Sequence, residues 1–272
     1  ALAQSGIERL AISLDGADPA SHDAFRRVEG SYEKTIQIIR WAHAAGIPIQ
    51  INTSICKYNL DLFEKIYLQV KQLGAVLWSV FFLVPTGRAS REMQISADEA
   101  ELVLKKMALL SASNGFDIKA TAAPHFRRVL LEAGSRGGRS SSDELSSISP
   151  HMRLGDLRSY QSVNDGKGVV FISHTGEVFP SGFLPLSAGN IRESKLADIY
   201  RESALFRDLR NPDLLKGKCG RCNFKNICGG SRARAFAETG DYLAQDSLCI
   251  YDAAECATWQ ENPMPVFSEP QR

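Results

Sequence analysis

The segment IPIQINTSICKYNLDLFEKIYLQVKQLGAVLWSVFFLV, residues 47–84, changes its hydrophobic period twice. Ile47 to Ile55 is a β-rich run. Leu60 to Leu73 then places Leu62, Phe63, Ile66, Tyr67, Val70 and Leu73 at three- and four-residue spacing, the period of one helix face, and Gly74 stands where a left-handed cap belongs. Leu77 to Val84 is β-rich again. Strand, helix and strand over such a length make the βαβ unit of a parallel sheet. Working outward, Arg9 to Ser13 reads as an earlier strand and Tyr32 to Ala45 as a helix closed by Gly46. Ser96-Ala97-Asp98-Glu99 is a capping-box pattern ahead of Leu102, Val103, Met107, Leu109 and Leu110. Between Gly134 and Ser149 the composition turns to Ser, Gly and Arg with almost no apolar residue, which cannot support a core and marks a domain boundary. Beyond it, Gly168 to Ser173 and Glu177 to Phe179 read as a hairpin about His174-Thr175-Gly176, and Leu196 to Leu209 as a helix.

A chain of 272 residues with 44% hydrophobic and 23% charged content can bury a real core, and a net charge of +1 offers no electrostatic footing for nucleic acid or an anionic membrane. The longest apolar runs, such as Val76 to Pro85, fall far short of the roughly 20 residues a membrane helix needs. The expectation is a cytoplasmic protein without a nucleic-acid or membrane partner. The chain opens on Ala1 and reaches its first strand almost at once, which reads like a fragment.

Four of the six cysteines fall within Cys219 to Cys249, a clustering that suits metal or redox chemistry better than a secreted disulfide scaffold. Cys219-Gly-Arg-Cys222 supplies two thiols a tight turn apart, Cys228 follows, and Cys249 returns about twenty residues later, a set able to converge on one soft metal centre. Zinc is the plainer alternative, although zinc modules usually pair two short Cys-x2-4-Cys knuckles and only the first pair has that form. Gly217, Gly220, Gly229 and Gly230 suit a chain wrapping a cluster closely, or ordinary turns. Cys56, isolated in a strand, reads as a small buried apolar residue, and Cys256 as a spare thiol.

Ile12-Ser13-Leu14-Asp15-Gly16, followed by His22-Asp23-Ala24-Phe25-Arg26 and Gly30-Ser31-Tyr32, resembles the fourth strand and following helix of a radical S-adenosylmethionine barrel. Leu83 to Ala89, Gly176 to Pro180, Gly189-Asn190-Ile191 and Cys228 to Ala235 resemble the subgroup with a SPASM-type C-terminal extension, nearest its heme-biosynthesis-related members, which act on heme d1 and siroheme-derived tetrapyrroles. The resemblance implies an α/β fold: residues 1–134 as part of a (βα)6 TIM-like barrel from about strand 4, a flexible connection over 135–150, and a small, loop-rich α+β SPASM-like domain over 151–272. It implies that Cys219, Cys222, Cys228 and Cys249 hold an auxiliary 4Fe-4S cluster. Relatives have cysteines where this chain has Ser181 and Ser231, so one auxiliary cluster is expected rather than two. The Cys-x3-Cys-x2-Cys loop that holds the family's catalytic cluster has no counterpart here, and S-adenosylmethionine and a second 4Fe-4S cluster are expected in a full-length protein with that loop upstream.

In parallel barrels the working groups sit at the C-terminal ends of strands, which selects Ser13, Asp15, Asn52, Thr53, Pro85 and Thr86. The resemblance implies that Ser13 and the polar strand ends, Asn52 and Thr53 among them, meet the methionine or ribose part of the cofactor, and that Arg26 pairs with its carboxylate through a bidentate fork. His125, in Pro124-His125-Phe126-Arg127-Arg128, could meet an iron centre and propionates, or belong to a surface basic turn. His174 reads as structural, and His22, His43 and His151 as surface residues. Arg232 and Arg234 either offset cluster charge or solvate a helix. The expected function is 5′-deoxyadenosyl radical chemistry on a tetrapyrrole, with flavodoxin or ferredoxin as electron donor. The alternatives are maturation of a ribosomal peptide or quinone cofactor, and a non-catalytic iron-sulfur or zinc module serving a partner.

Overall fold

The computed structural model describes residues 2–113, 116–135 and 164–253. The expected connection over 135–150 lies almost wholly outside the described residues, as do His151 and Cys256. Strands β1 (Leu10–Ser13), β2 (Ile49–Ile55), β3 (Leu77–Phe82) and β4 (Asp117–Thr121) form a parallel sheet in the order β1-β2-β3-β4. They are joined by α1 (Pro19–Arg26), α2 (Ser31–Ala44), α3 (Phe63–Gln72) and α4 (Ala97–Ser113), and α5 (Phe126–Ser135) follows β4. Sequential parallel strands with helices between them are the run of a barrel wall. β1, β2 and β3 fall where the sequence expects them, within one or two residues of each end. β4 was missed because Asp117-Ile118-Lys119-Ala120-Thr121 carries one large apolar residue and so lacks a strong alternation. The expected helix from Leu60 begins as a 3₁₀ turn over Leu60–Leu62.

The sheet has two unlike faces. Ile12, Ile49, Ile51, Ile55, Trp78, Val80 and Ile118 point into a core closed by Ile36, Ile39, Phe63, Ile66, Val70, Val103, Leu104 and Met107 from the helices. Each such buried side chain contributes roughly 1.5–3 kcal/mol. The other face carries polar residues, exposed at Ser13, half-buried at Asn52 and buried at Ser79. Register places Ser13 beside Asn52, Asn52 beside Ser79, and Ser79 beside Lys119. The period of two along a strand explains why these alternate with the core set.

Turn chemistry fixes the connections. Ser96 and Glu99 make the expected reciprocal cap of α4. Gly74 lies at φ +65° and Gly46 at +69°, as the C-cap reading requires. Asp23, on α1, accepts hydrogen bonds from the backbone N–H of Gly30 and Tyr32 and the hydroxyl of Ser31 at 2.6–2.8 Å, and so caps α2 from a neighbouring element.

The second region is loop-rich. β5 (Phe171–Ile172) and β6 (Val178–Phe179) form the expected antiparallel hairpin about His174 to Gly176. The helix expected over 196–209 is in fact two, α6 (Leu196–Glu202) and α7 (Ala204–Arg210). Ser203 breaks it with extended backbone, ψ 140°, and caps α7 through its hydroxyl. A single turn α8 (Gly217–Gly220) and helix α9 (Arg232–Thr239) complete it. Among the described residues no helix is long and apolar enough to cross a membrane.

Candidate metal centre and its seam with the sheet

Cys219 sits on α8, Cys222 on the turn after it, Cys228 in the following loop, and Cys249 in the loop near the end of the described chain. The four thiols, with Lys218 and Tyr251, line one small, partly open cavity. They surround space rather than a point: among the described residues no three His, Cys, Asp or Glu side chains stand close enough for one metal ion. Backbone N–H groups already face the sulfurs, Phe224 donating to Cys222 at 3.3 Å, Gly230 to Cys228 at 3.4 Å and Asp246 to Cys219 at 3.3 Å. Such bonds stabilise charge on a metal-bound sulfur. Burial pushes the bare Cys228 and Cys222 thiols up, and Cys249 to about 11, so four thiolates here need a cationic core to balance them. The donor set and cavity therefore fit an iron-sulfur cluster. Cys56 is buried at the end of β2 as a free thiol, its own N–H bonded to Asn59 Oδ1.

The two serines that replace expected cysteines have local work. Ser231 caps α9, its Oγ accepting from Arg234 N–H at 3.2 Å, and Ser181 Oγ accepts from Phe183 N–H.

The reading of Arg232 and Arg234 as solvating a helix is overturned, because both are buried. Arg234 plugs the mouth of the sheet. Its guanidinium donates to the carbonyls of Phe82 at the end of β3, of Leu83 just past it and of Ala122 beyond β4, at 2.8–3.4 Å, and pairs with both oxygens of Asp246 at 3.0 and 3.3 Å. Burial alone would push the Asp246 carboxyl up, but Arg234, His125, the Ser231 N–H and Arg232 hold it down at about 2. Arg127 donates to the carbonyl of Ile227, beside Cys228, and Arg128 lies 5.4 Å over the Tyr251 ring while pairing with Glu101 and Glu132. Helix α5 is thus fastened to the cysteine loop.

His125 is corrected likewise: it is fully buried, not part of a surface turn, edge-on to Phe82 and 3.9 Å from Asp246. Neither ring nitrogen has a hydrogen-bond partner. Burial, assisted by Arg234 and Arg128 against Asp246 and Glu101, pushes its pKa down to about 4, so it is neutral at pH 7. The unfolded chain takes up its proton near pH 6.5 and the folded one only near 4, so stability is lost as pH falls through that window. At about 1.36 kcal/mol per unit this amounts to about 2 kcal/mol between pH 7 and pH 5. His125→Phe, which keeps the ring, should remove that loss; unfolding midpoints of both proteins at the two pH values check it, and equal losses would show that other groups carry the pH dependence.

The strand-end residues divide between the faces. Ser13 and Asn52 lie side by side on the polar face. Thr53 is on the core face, fully buried, its hydroxyl donating to Leu14 O and accepting from Trp78 Nε1. Asp15 is buried just past β1, accepting from Ser54 N–H at 2.7 Å and pairing with Arg26 at 2.5 Å; burial raises its pKa against the pull of both partners. Asn59, which the sequence did not single out, ties this end together by donating to Asp15 O and Ser54 O. His22 is buried, not on the surface, and its Nδ1 accepts from Asp15 N–H, which fixes its tautomer. The chain folds back so tightly here that a Cβ on Gly16 would lie 2.3 Å from His22 N. His43 is exposed as expected, and His174, read as structural, is exposed at the hairpin turn. Thr86 follows β3 in a turn, its N–H bonded to Val84 O.

A family model described as SPASM, an iron-sulfur cluster-binding domain, matches residues 164–223. The chain is 40% identical to an AdoMet-dependent heme synthase of Methanosarcina barkeri, over 92% of this chain and 69% of that protein. It is also 40% identical to an AdoMet-dependent heme synthase of Nitratidesulfovibrio vulgaris, over 91% of this chain and 66% of that one. It thus spans about two thirds of the length of these relatives. Among solved structures, Streptococcus suis SuiB bound to precursor peptide SuiA superposes with a TM-score of 0.59 at 15% identity, covering 89% of this chain and 53% of that one.

Proposed function

Because this chain belongs to the radical S-adenosylmethionine enzymes of the SPASM type, we propose that its full-length form carries out 5′-deoxyadenosyl radical chemistry on a heme-pathway tetrapyrrole. The observation that carries this reading is the 40% identity to an AdoMet-dependent heme synthase over 92% of the chain, both regions included. Within it, Cys219, Cys222, Cys228 and Cys249 hold one auxiliary 4Fe-4S cluster, supported by the shared cavity and the N–H groups aimed at the sulfurs. Bound there, the cluster would supply a one-electron relay or an anchor for substrate, fed by flavodoxin or ferredoxin.

The chain's own residues have distinct proposed tasks. Ser13 and Asn52, adjacent on the polar face, meet the methionine or ribose part of S-adenosylmethionine. Arg26 faces its carboxylate and is held in place by Asp15, whose other oxygen is fixed by Ser54. Thr53, its hydroxyl engaged behind the sheet, supports the strand ends rather than touching cofactor. His125 lies too deep for substrate and serves the seam. Free thiols among the described residues suit a reducing, cytoplasmic setting.

Full-length protein, reconstituted anaerobically and given reductant, should release 5′-deoxyadenosine and consume an added heme-pathway tetrapyrrole, both followed by mass spectrometry. No 5′-deoxyadenosine would sink the proposal. Release stimulated by a precursor peptide and not by tetrapyrrole would move the assignment to peptide maturation.

A further inference from the structure

We infer that Arg232 is a positioning residue that sets the redox potential of the auxiliary cluster, through a buried charge placed against the Cys219 sulfur; this rests on the cluster reading above. Arg232 is 2% exposed. Its Nη1 donates to Ala244 O at 2.7 Å and Tyr242 O at 3.0 Å, its Nε to Gly230 O at 3.2 Å, and its Nη2 reaches Cys219 Sγ at 3.8 Å. Carbonyls solvate the guanidinium but do not neutralise it. The nearby carboxylate, Asp246, is engaged in both oxygens by Arg234, and Asp246 and Asp241 act on Arg232 through space without pairing with it in contact, so they offset its charge only in part. A buried charge is costly unless a counter-charge lies beside it, and the remaining direction, toward Cys219, is where an anionic cluster would supply one.

Gly230 gives independent support for the approach. It lies at φ +63°, and a Cβ there would stand 2.5 Å from Arg232 Nη2 and 3.1 Å from Cys219 Sγ. The glycine leaves room for the guanidinium to reach the sulfur edge. A fixed positive charge stabilises the reduced, more negative cluster over the oxidised one, so it raises the potential. Arg234, two residues on and as deeply buried, is instead in direct contact with the Asp246 carboxylate and the strand-end carbonyls.

The test is a redox titration of the full-length, reconstituted protein, the auxiliary signal being identified by its loss in Cys222→Ala. Arg232→Met removes the charge and keeps the length. At fixed ambient potential its ratio of reduced to oxidised cluster should fall at least tenfold, a shift of about 59 mV for one electron. Arg232→Lys should stay much nearer wild type. An unshifted potential in Arg232→Met with iron and sulfide intact would overturn the inference, as would a lysine variant shifted as far as the methionine one. Should Arg232→Met fail to hold iron while Arg232→Lys holds it, the charge is again what the cluster requires; loss from both variants counts against it. Wild-type protein without iron and sulfide would instead overturn the cluster reading on which the inference stands.

Discussion

Asp246→Ala is expected to destabilise the protein by about 3–5 kcal/mol, because it leaves the Arg234 guanidinium buried without its counter-charge. Three backbone arrangements depend on the same carboxylate: the Ser231 N–H at the start of α9, the Leu248 N–H, and the Arg234 fork that reaches the strand-end carbonyls. Unfolding midpoints in urea at pH 7 give the value, and a loss below about 1 kcal/mol would show that carbonyls alone can hold the arginine. The double variant Asp246→Leu with Arg234→Met should cost less than the single one, since removing both charges avoids stranding either. Acid should act on the same bond. With a folded pKa of about 2 against an ordinary 3.8, Asp246 contributes stability that is complete above about pH 4 and is lost as pH falls toward 2, below the range in which His125 acts.

Cys222→Ala should cost the full-length protein one cluster's share of iron and acid-labile sulfide while leaving it folded. The reason to choose Cys222 over Cys228 is its setting: Cys222 lies between the exposed Arg221 and Asn223, whereas Cys228 is tied to Gly230 through its sulfur and to Asn164 through its carbonyl. An alanine at Cys222 removes a proposed ligand without touching the bonds that fasten α5 to the cysteine loop. Iron and sulfide assays on both proteins decide the matter. Zinc without sulfide in the wild type would replace the cluster by a structural zinc site and take the electron-relay reading with it.

Both predictions concern groups that differ sharply in how far they could be read in advance. The grouping of the four cysteines is legible, because spacing along a chain is a local property, and one cavity is lined by the same four residues that the spacing selects. The buried arginines did not. Nothing in Ser231-Arg232-Ala233-Arg234 distinguishes a solvated helix from one whose charges are spent inside, since the partners of Arg234 stand 112 and 152 residues away, at Ala122 and Phe82. His125 was misread for the same reason: a His before two arginines looks like surface, and only the packing of Phe82 and Asp246 around it makes it core.

What the sequence alone determined is therefore what short-range geometry imposes. The switch of period from two to 3.6 along residues 47–84 gave strand, helix and strand, and the glycines at 46 and 74 closed the helices through left-handed caps. Tertiary structure decided which face of the sheet each strand-end residue joins, so that Asn52 opens toward the polar face while Thr53 turns to the core. It also decided where charge is buried, because the free energy of a buried ion depends on counter-charges and carbonyls that only the folded chain brings beside it.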